Sequence, residues 1–355
     1  MLVNNRLTLL ASALAMTLAT PVLAQVQTPA PPPVAGAKPV TIERITVHSP
    51  AIAGNLEGES PDRAVLVVLP PSYRASTKRR YPVVYALHGY SIGAEQWVGE
   101  IHVPQTIEGA FAKGVREMIV VLPDSKTAHN GSFYSSSVTV GDFETFIARD
   151  LVAYVDGHYR TIANRRSRGL AGHSMGGYGT ARIGMKHPDT FGAIYMMSPC
   201  CLSTRALGKP DAKTEQAVNA LRSPADSATL PWGVRAQLAT AAAWSPNPKA
   251  PPLFLDLPIK DGQPQPDVMA RWAANAPLAM LDQYVGNLRR YAAIGIDVGD
   301  RDGLKEDAAK LHAALDRYGI ANSFEIYPGD HTSGVAGRVQ DAMMPFFSRA
   351  LAFGQ

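Results

Sequence analysis

A chain of 355 residues with 46% hydrophobic and 18% charged residues carries enough apolar material for one large core or two small ones, which excludes a disordered chain. Its net charge of +4 is spread without a basic run, so no nucleic-acid footprint is present. The two cysteines, Cys200 and Cys201, are adjacent, which excludes a disulfide framework, and the nine histidines lack H-x-x-x-H or Cys/His spacing, so no metal site is expected.

In chain order, residues 1–24 read as a secretory signal. Arg6 supplies the positive end, Leu7 to Leu18 the apolar stretch, and Val22-Leu23-Ala24 a cleavage site after Ala24. The stretch is short of the roughly 20 apolar residues of a membrane span. The mature chain is therefore expected in the periplasm or outside the cell. Residues 25–40, with Thr28-Pro29-Ala30-Pro31-Pro32-Pro33, read as an extended, mobile tether. The folded domain is expected over 41–355.

Thr41 to Ser49 alternates as an edge strand, and Arg63 to Leu69 is a second strand stopped by Pro70-Pro71. Tyr81 to Leu87 and Met118 to Leu122 are valine-rich runs suited to strands buried on both faces, with a helix between them near Pro104 to Lys113. A polar loop, Ala128 to Thr139, precedes an amphipathic helix over Asp142 to His158 that Asp142 can cap. Arg168 to Ala171 is a short strand and Tyr178 to His187 a helix, followed by a strand over Phe191 to Met197. This alternation predicts an α/β fold with a mostly parallel sheet covered on both faces. Residues 202–280 break the rhythm and read as an insertion over the carboxyl edge of the sheet, with no strand-like run before Leu253-Phe254-Leu255. Tyr291 to Val298, Asp307 to Tyr318, Ser323 to Tyr327 and Val335 to Leu351 then read as strand, helix, strand and helix.

Between the Arg168 strand and the Tyr178 helix lies Gly172-His173-Ser174-Met175-Gly176-Gly177. A G-x-S-x-G on a strand-to-helix turn holds its serine in a strained backbone with the hydroxyl lifted off the sheet. Serine needs a base, and the base an acid that fixes its tautomer. Both follow in the order such sheets use. His331 lies in a loop after the last strand, and Asp297, Asp300 and Asp302 compete for the acid. Asp297 sits inside a strand and Asp300 can cap the turn, so Asp302 is preferred. The oxyanion donors are expected to be the N–H of Met175 and that of Tyr90 or Gly89, in the loop after Leu87.

The runs Leu69-Pro70-Pro71-Ser72-Tyr73 and Tyr81-Pro82-Val83-Val84-Tyr85-Ala86-Leu87-His88-Gly89, with the elbow, resemble the esterase D-like branch of the α/β-hydrolases. That branch includes S-formylglutathione hydrolases, feruloyl and acetyl xylan esterases and the antigen 85 mycolyltransferases. The segments Gly299-x-x-Asp302 and Pro328-Gly329-Asp330-His331 look like its acid and base segments. The resemblance implies the α/β-hydrolase fold, with Ser174 as nucleophile, Asp302 as acid and His331 as base, and a loop position at Phe133-Tyr134 bordering the acyl site. Trp232, Trp244, Phe254 and Trp272 of the insertion could line the same pocket or form a satellite core.

The function expected is a cofactor-independent serine carboxylesterase acting on a small-molecule or carbohydrate-linked ester. The alternatives are an acyltransferase of the antigen 85 type and a non-catalytic carbohydrate or cell-wall binding module on a hydrolase scaffold. Cys200 and Cys201 read as two small buried thiols at a strand end, with a vicinal disulfide as the alternative.

Overall fold

The computed structural model describes residues 28–204 and 211–354, so the expected signal segment lies outside the described residues. Eight strands build one sheet: β1 Thr41–His48, β2 Asp62–Leu69, β3 Val83–Leu87, β4 Ile119–Pro123, β5 Arg168–His173, β6 Ala193–Met197, β7 Ala293–Gly299 and β8 Ser323–Tyr327. Their spatial order is β1-β2-β4-β3-β5-β6-β7-β8. The β1–β2 and β2–β4 pairs are antiparallel and every later pair is parallel.

Every residue of β3, β4 and β6 is buried. The valine-rich composition of β3 and β4 has the physical cause expected of it, since helices cover both faces. On one face the core includes Tyr85, Phe143, Phe146, Tyr178 and Ile183. On the other it includes Val84, Trp97, Ile107 and Phe347. A fully buried valine, leucine or phenylalanine contributes roughly 1.5–3 kcal/mol, so these two layers fix which strand lies beside which.

The helix over 143–158 forms as the sequence implies, with Asp142 Oδ1 accepting from the Thr145 N–H at 2.8 Å, and it contains one π-type turn at Phe146–Asp150. A short helix at Ala94–Glu100 was not legible in the sequence. The run Leu253-Phe254-Leu255 is not a strand: Leu255 makes only an isolated bridge to Pro246. Instead the described part of the insertion is helical, with Ala212–Asn219, Trp232–Trp244 and Pro266–Ala274 as its main helices.

The tether differs from expectation from Thr28 onward. Thr28 is buried, its hydroxyl accepts from the Ala336 N–H at 2.9 Å, and its carbonyl accepts from His102 Nε2 at 2.8 Å. The Val40 N–H reaches Glu108 Oε1 at 3.0 Å. The segment is extended, as its prolines require, yet it lies strapped to the body because its polar groups find partners there.

All six parallel strands end at one edge. Leu87 pairs with Gly172, His173 with Met197, and Gly299 with Tyr327. The turns carrying Gly89, Ser174, Cys200, Asp302 and His331 therefore converge on that edge.

Candidate active site

Ser174 sits between β5 and the helix Met175–Lys186, at φ +55° and ψ −113°. For a residue with a side chain this is a strained conformation. Two glycines make the turn possible. A Cβ on Gly172 would overlap the backbone of Gly176, and one on Gly176 would overlap the Leu87 carbonyl. The turn is pinned at both ends: the Ser174 N–H donates to the Met197 carbonyl at 3.0 Å, and the Cys200 N–H donates to the Ser174 carbonyl at 3.1 Å.

From this elbow a hydrogen-bonded chain runs across the edge. Ser174 Oγ lies 2.9 Å from His331 Nε2, and His331 Nδ1 lies 2.8 Å from Asp302 Oδ2. The other Asp302 oxygen accepts from the Leu304 N–H at 2.9 Å. Asp302 is 6% exposed. Burial by itself raises its carboxyl, but the hydrogen bond and positive charge of His331 outweigh that and hold it below the ordinary carboxylate value. Asp300 is exposed, and its Oδ1 accepts from the Gly329 N–H at 2.8 Å, so it shapes the turn. Asp297 is buried on the far side of β7, bound to Tyr195 and Arg338. Of the three competing aspartates only Asp302 meets His331.

Met175 is the first residue of its helix, so its N–H has no intrahelical partner, and the N–H of Tyr90 has none among the described residues. A Cβ on Gly89 would stand 3.5 Å from Ser174 Cβ, which brings that turn directly against the nucleophile. The turn is braced from below by a residue whose bracing role carries no local sequence signature. His88 is fully buried, donates from Nδ1 to the Gly89 carbonyl at 2.8 Å and accepts at Nε2 from the Ser125 N–H at 2.8 Å. Burial lowers its pKa and keeps it neutral, as both bonds require.

The loop 128–139 and the insertion meet over this edge. Ser137 Oγ donates to the Ala242 carbonyl at 2.6 Å and Thr139 Oγ1 to that of Phe254 at 2.6 Å. Phe133 packs edge-on to Trp244 at 5.4 Å and to Tyr178 at 6.0 Å. Tyr134 differs from expectation: it is wholly buried and its hydroxyl donates to the His88 carbonyl at 2.9 Å, so it supports the turn at 88–90 from within the core. Trp244 and Trp272 are buried, and with Cys200, Cys201, Thr240 and Leu304 they line a cavity of about 230 Å³ beside the Ser174 turn. Trp232 instead is 60% exposed and stands edge-on to Tyr90 at 5.3 Å, on the opposite side of the elbow. Cys200 and Cys201 are half-buried and form no disulfide.

Backbone strain concentrates here. Ser91, Asn130, Phe133, Tyr134, Ser174, Ser198 and Cys201 all have φ between +42° and +73°. Such strain persists only where surrounding contacts over-determine it. Among the described residues no cluster of three or more His, Cys, Asp or Glu could hold a metal, and no helix is long and apolar enough to cross a membrane.

A mostly parallel sheet with a serine on a strained elbow and its partners on later strand ends is the α/β-hydrolase architecture. Within it, the family model described as "Putative esterase" matches residues 60–334, and the chain belongs to that esterase family. It is 30% identical over 141 residues to an endo-1,4-beta-xylanase/feruloyl esterase of Xylanibacter ruminicola, covering 37% of this chain and 19% of that one. It is 33% identical over 137 residues to the esterase Rv1288 of Mycobacterium tuberculosis, covering 36% of this chain and 27% of that one. The chain thus spans about a fifth to a quarter of these relatives' length. Among solved structures, a ferulic acid esterase superposes with a TM-score of 0.62 at 23% identity, covering 88% of this chain and 99% of the other. The S-formylglutathione hydrolase FrmB of Staphylococcus aureus superposes with a TM-score of 0.54 at 17% identity, covering 90% and 99%. At these identities the superpositions speak for the fold.

Proposed function

We propose that the protein is a serine carboxylesterase. The observation that carries this reading is the unbroken chain from Ser174 through His331 to Asp302 on an elbow of strained geometry. Ser174 attacks the ester carbonyl while His331 Nε2 takes its proton, and Asp302 stabilises the imidazolium through Nδ1. The N–H groups of Met175 and of Tyr90 or Gly89 receive the developing oxyanion. His331 returns the proton to the departing alcohol, then activates water to release the acid.

The acyl group enters the cavity walled by Trp244 and Trp272, and the alcohol leaves past Trp232. An apolar cavity on one side of the elbow and an exposed tryptophan on the other suit a planar or short acyl group on a sugar alcohol, and the feruloyl esterase among its relatives supports that choice. The signal-like pattern of residues 1–24 supports action in the periplasm or outside the cell, and the exported protein should begin at or near Gln25 by N-terminal sequencing. The decisive experiment is Ser174→Ala with p-nitrophenyl acetate. Loss of a triad nucleophile costs on the order of 10⁶ in kcat. A folded Ser174→Ala protein with near-wild-type turnover refutes the reading.

A further inference from the structure

We propose that His173, the residue before the nucleophile, is a positioning residue that sets the spacing between the loop of the general base and the oxyanion turn. The inference rests on the esterase reading above, and it concerns a side chain with no role in the proton transfers described there.

His173 closes β5 and is 3% exposed. Its Nε2 donates to the backbone carbonyl of His331 at 2.8 Å. The two imidazoles lie 4.8 Å apart at an interplanar angle of 37°, so His173 touches the His331 loop through both its ring and its N–H. The other side of the ring faces the oxyanion turn: a Cβ on Gly89 would stand 3.6 Å from His173 Nδ1. One rigid ring thus bridges the two loops that must hold their distance from Ser174, and it is joined covalently to the nucleophile itself. A misplacement of about 1 Å in such a constellation costs on the order of 100-fold in rate.

A bridge at this place must also be uncharged, because His331 becomes a cation during turnover. The charged groups facing His173 are His331 and Asp302. Burial first, and the charge of His331 second, push the His173 pKa down to about 3, while its bond to the His331 carbonyl and the charge of Asp302 offset only part of this. His173 therefore stays a neutral donor whether or not His331 is protonated. A charged bridge would oppose the imidazolium at short range.

The reach of the side chain supplies the test. Glutamine carries an N–H donor at the position of the histidine Nε2, leucine fills the space without a donor, and asparagine carries the donor but falls short. His173→Leu and His173→Gln are compared for kcat and KM on p-nitrophenyl acetate, with melting temperatures measured in parallel. The expected result is a fall in kcat of about 10- to 100-fold for His173→Leu at nearly unchanged KM, with His173→Gln within about threefold of wild type. His173→Asn takes the place of His173→Leu if the latter does not fold, and is expected to lose kcat to the same degree. The acid limb of the kcat/KM profile of His173→Gln should coincide with that of wild type, since a neutral donor has been exchanged for another. Three outcomes overturn the inference: equal losses in His173→Gln and the donor-less variant, no loss in either, or an acid limb displaced by about half a pH unit or more in His173→Gln. Ser174→Ala in the same assay keeps the two questions apart. If it is inactive while the His173 variants behave in any of these three ways, only the positioning role falls.

Discussion

Replacing Asp302 by asparagine tests the acid assignment with the least change of shape. The structure decides which way the new amide turns. In the native protein Asp302 Oδ1 accepts from the Leu304 N–H at 2.9 Å, and Oδ2 faces His331 Nδ1 at 2.8 Å. Leu304 still needs an acceptor in the variant, so the amide oxygen takes the Oδ1 position and the NH₂ group faces His331. Two donors cannot share one bond. The imidazole must then carry its proton on Nε2, opposite Ser174 Oγ, where a lone pair is required.

Two losses add. At about 4 Å and an effective dielectric near 20, the ion pair that forms during turnover is worth about 4 kcal/mol. The His331 side chain is 37% exposed, so solvent screening trims this to roughly 2–3 kcal/mol, a factor near 10². The tautomer change contributes a comparable factor, and kcat should fall by about 10⁴ with the fold intact. Asp300→Asn exchanges an exposed acceptor of the Gly329 N–H and should change kcat by less than about tenfold. Both variants are assayed by p-nitrophenyl acetate hydrolysis between pH 6 and 9, with circular dichroism as the folding control. A reversed order of the two effects would mean that the acid is Asp300 and that the hydrogen-bonded chain is not the reacting one.

Other regions yield sharper expectations for stability than for rate. Burial raises the Glu144 carboxyl, but the His187 hydrogen bond and the charges of Arg182 and Lys186 outweigh it and hold the pKa at about 2. Its contribution is therefore complete above about pH 4.5 and is lost as pH falls toward 2; Glu144→Gln should cost roughly 3 kcal/mol in urea unfolding at pH 7 and far less near pH 2. Thr28→Val removes the hydroxyl that caps the Ala336 N–H and should lower stability by about 1 kcal/mol, with Thr28→Ser restoring it; equal melting temperatures for all three would show that the strap is not seated. Trp232→Ala should alter the ratio of kcat/KM between an acetyl and an aryl ester at unchanged melting temperature, because the ring is exposed and touches Tyr90. Trp244→Ala should lower stability by about 3–5 kcal/mol as well, since that ring is buried among Phe133, Tyr178 and Trp272.

The parts of this protein that could be read from sequence are those fixed by local chemistry. Buried parallel strands announce themselves as short valine-rich runs because both faces are covered, and β3 and β4 formed where those runs lie. The elbow is legible because only glycine fits the close approaches at 172 and 176. Asp302 could be preferred over its neighbours because a strand interior and a turn cap consume the other two aspartates. By contrast, the side chains that brace the site carry no local signature. His88 and His173 are buried polar groups whose partners lie 37 and 158 residues away along the chain. Tyr134 follows the same rule: a loop aromatic near an acyl site looks like a substrate contact until its hydroxyl is seen to reach the His88 carbonyl. The strap at Thr28 is hidden for a related reason, since a Pro/Ala composition reports an extended backbone and says nothing of what lies beside it.

The same distinction separates chemistry from specificity within the site. Ser174, Asp302 and His331 stand at the ends of strands whose register is locked by two buried layers, so their mutual distances are a property of the whole sheet. The cavity wall comes instead from helices 232–244 and 266–274, which hold each other through rings such as Trp244 and Trp272 and join the body through Phe133, Tyr178 and the loop hydrogen bonds of Ser137 and Thr139. Changes on the cavity side of these helices can reshape the cavity while the strand register holds Ser174 in place. The two cysteines lie at the joint between these regimes: Cys200 is tied to the Ser174 carbonyl through its backbone, while both side chains face the cavity. The backbone of this short segment pins the Ser174 turn while its residues line the cavity, so on the esterase reading substitutions at 200 and 201 should alter substrate preference as long as the main-chain bond to Ser174 is kept.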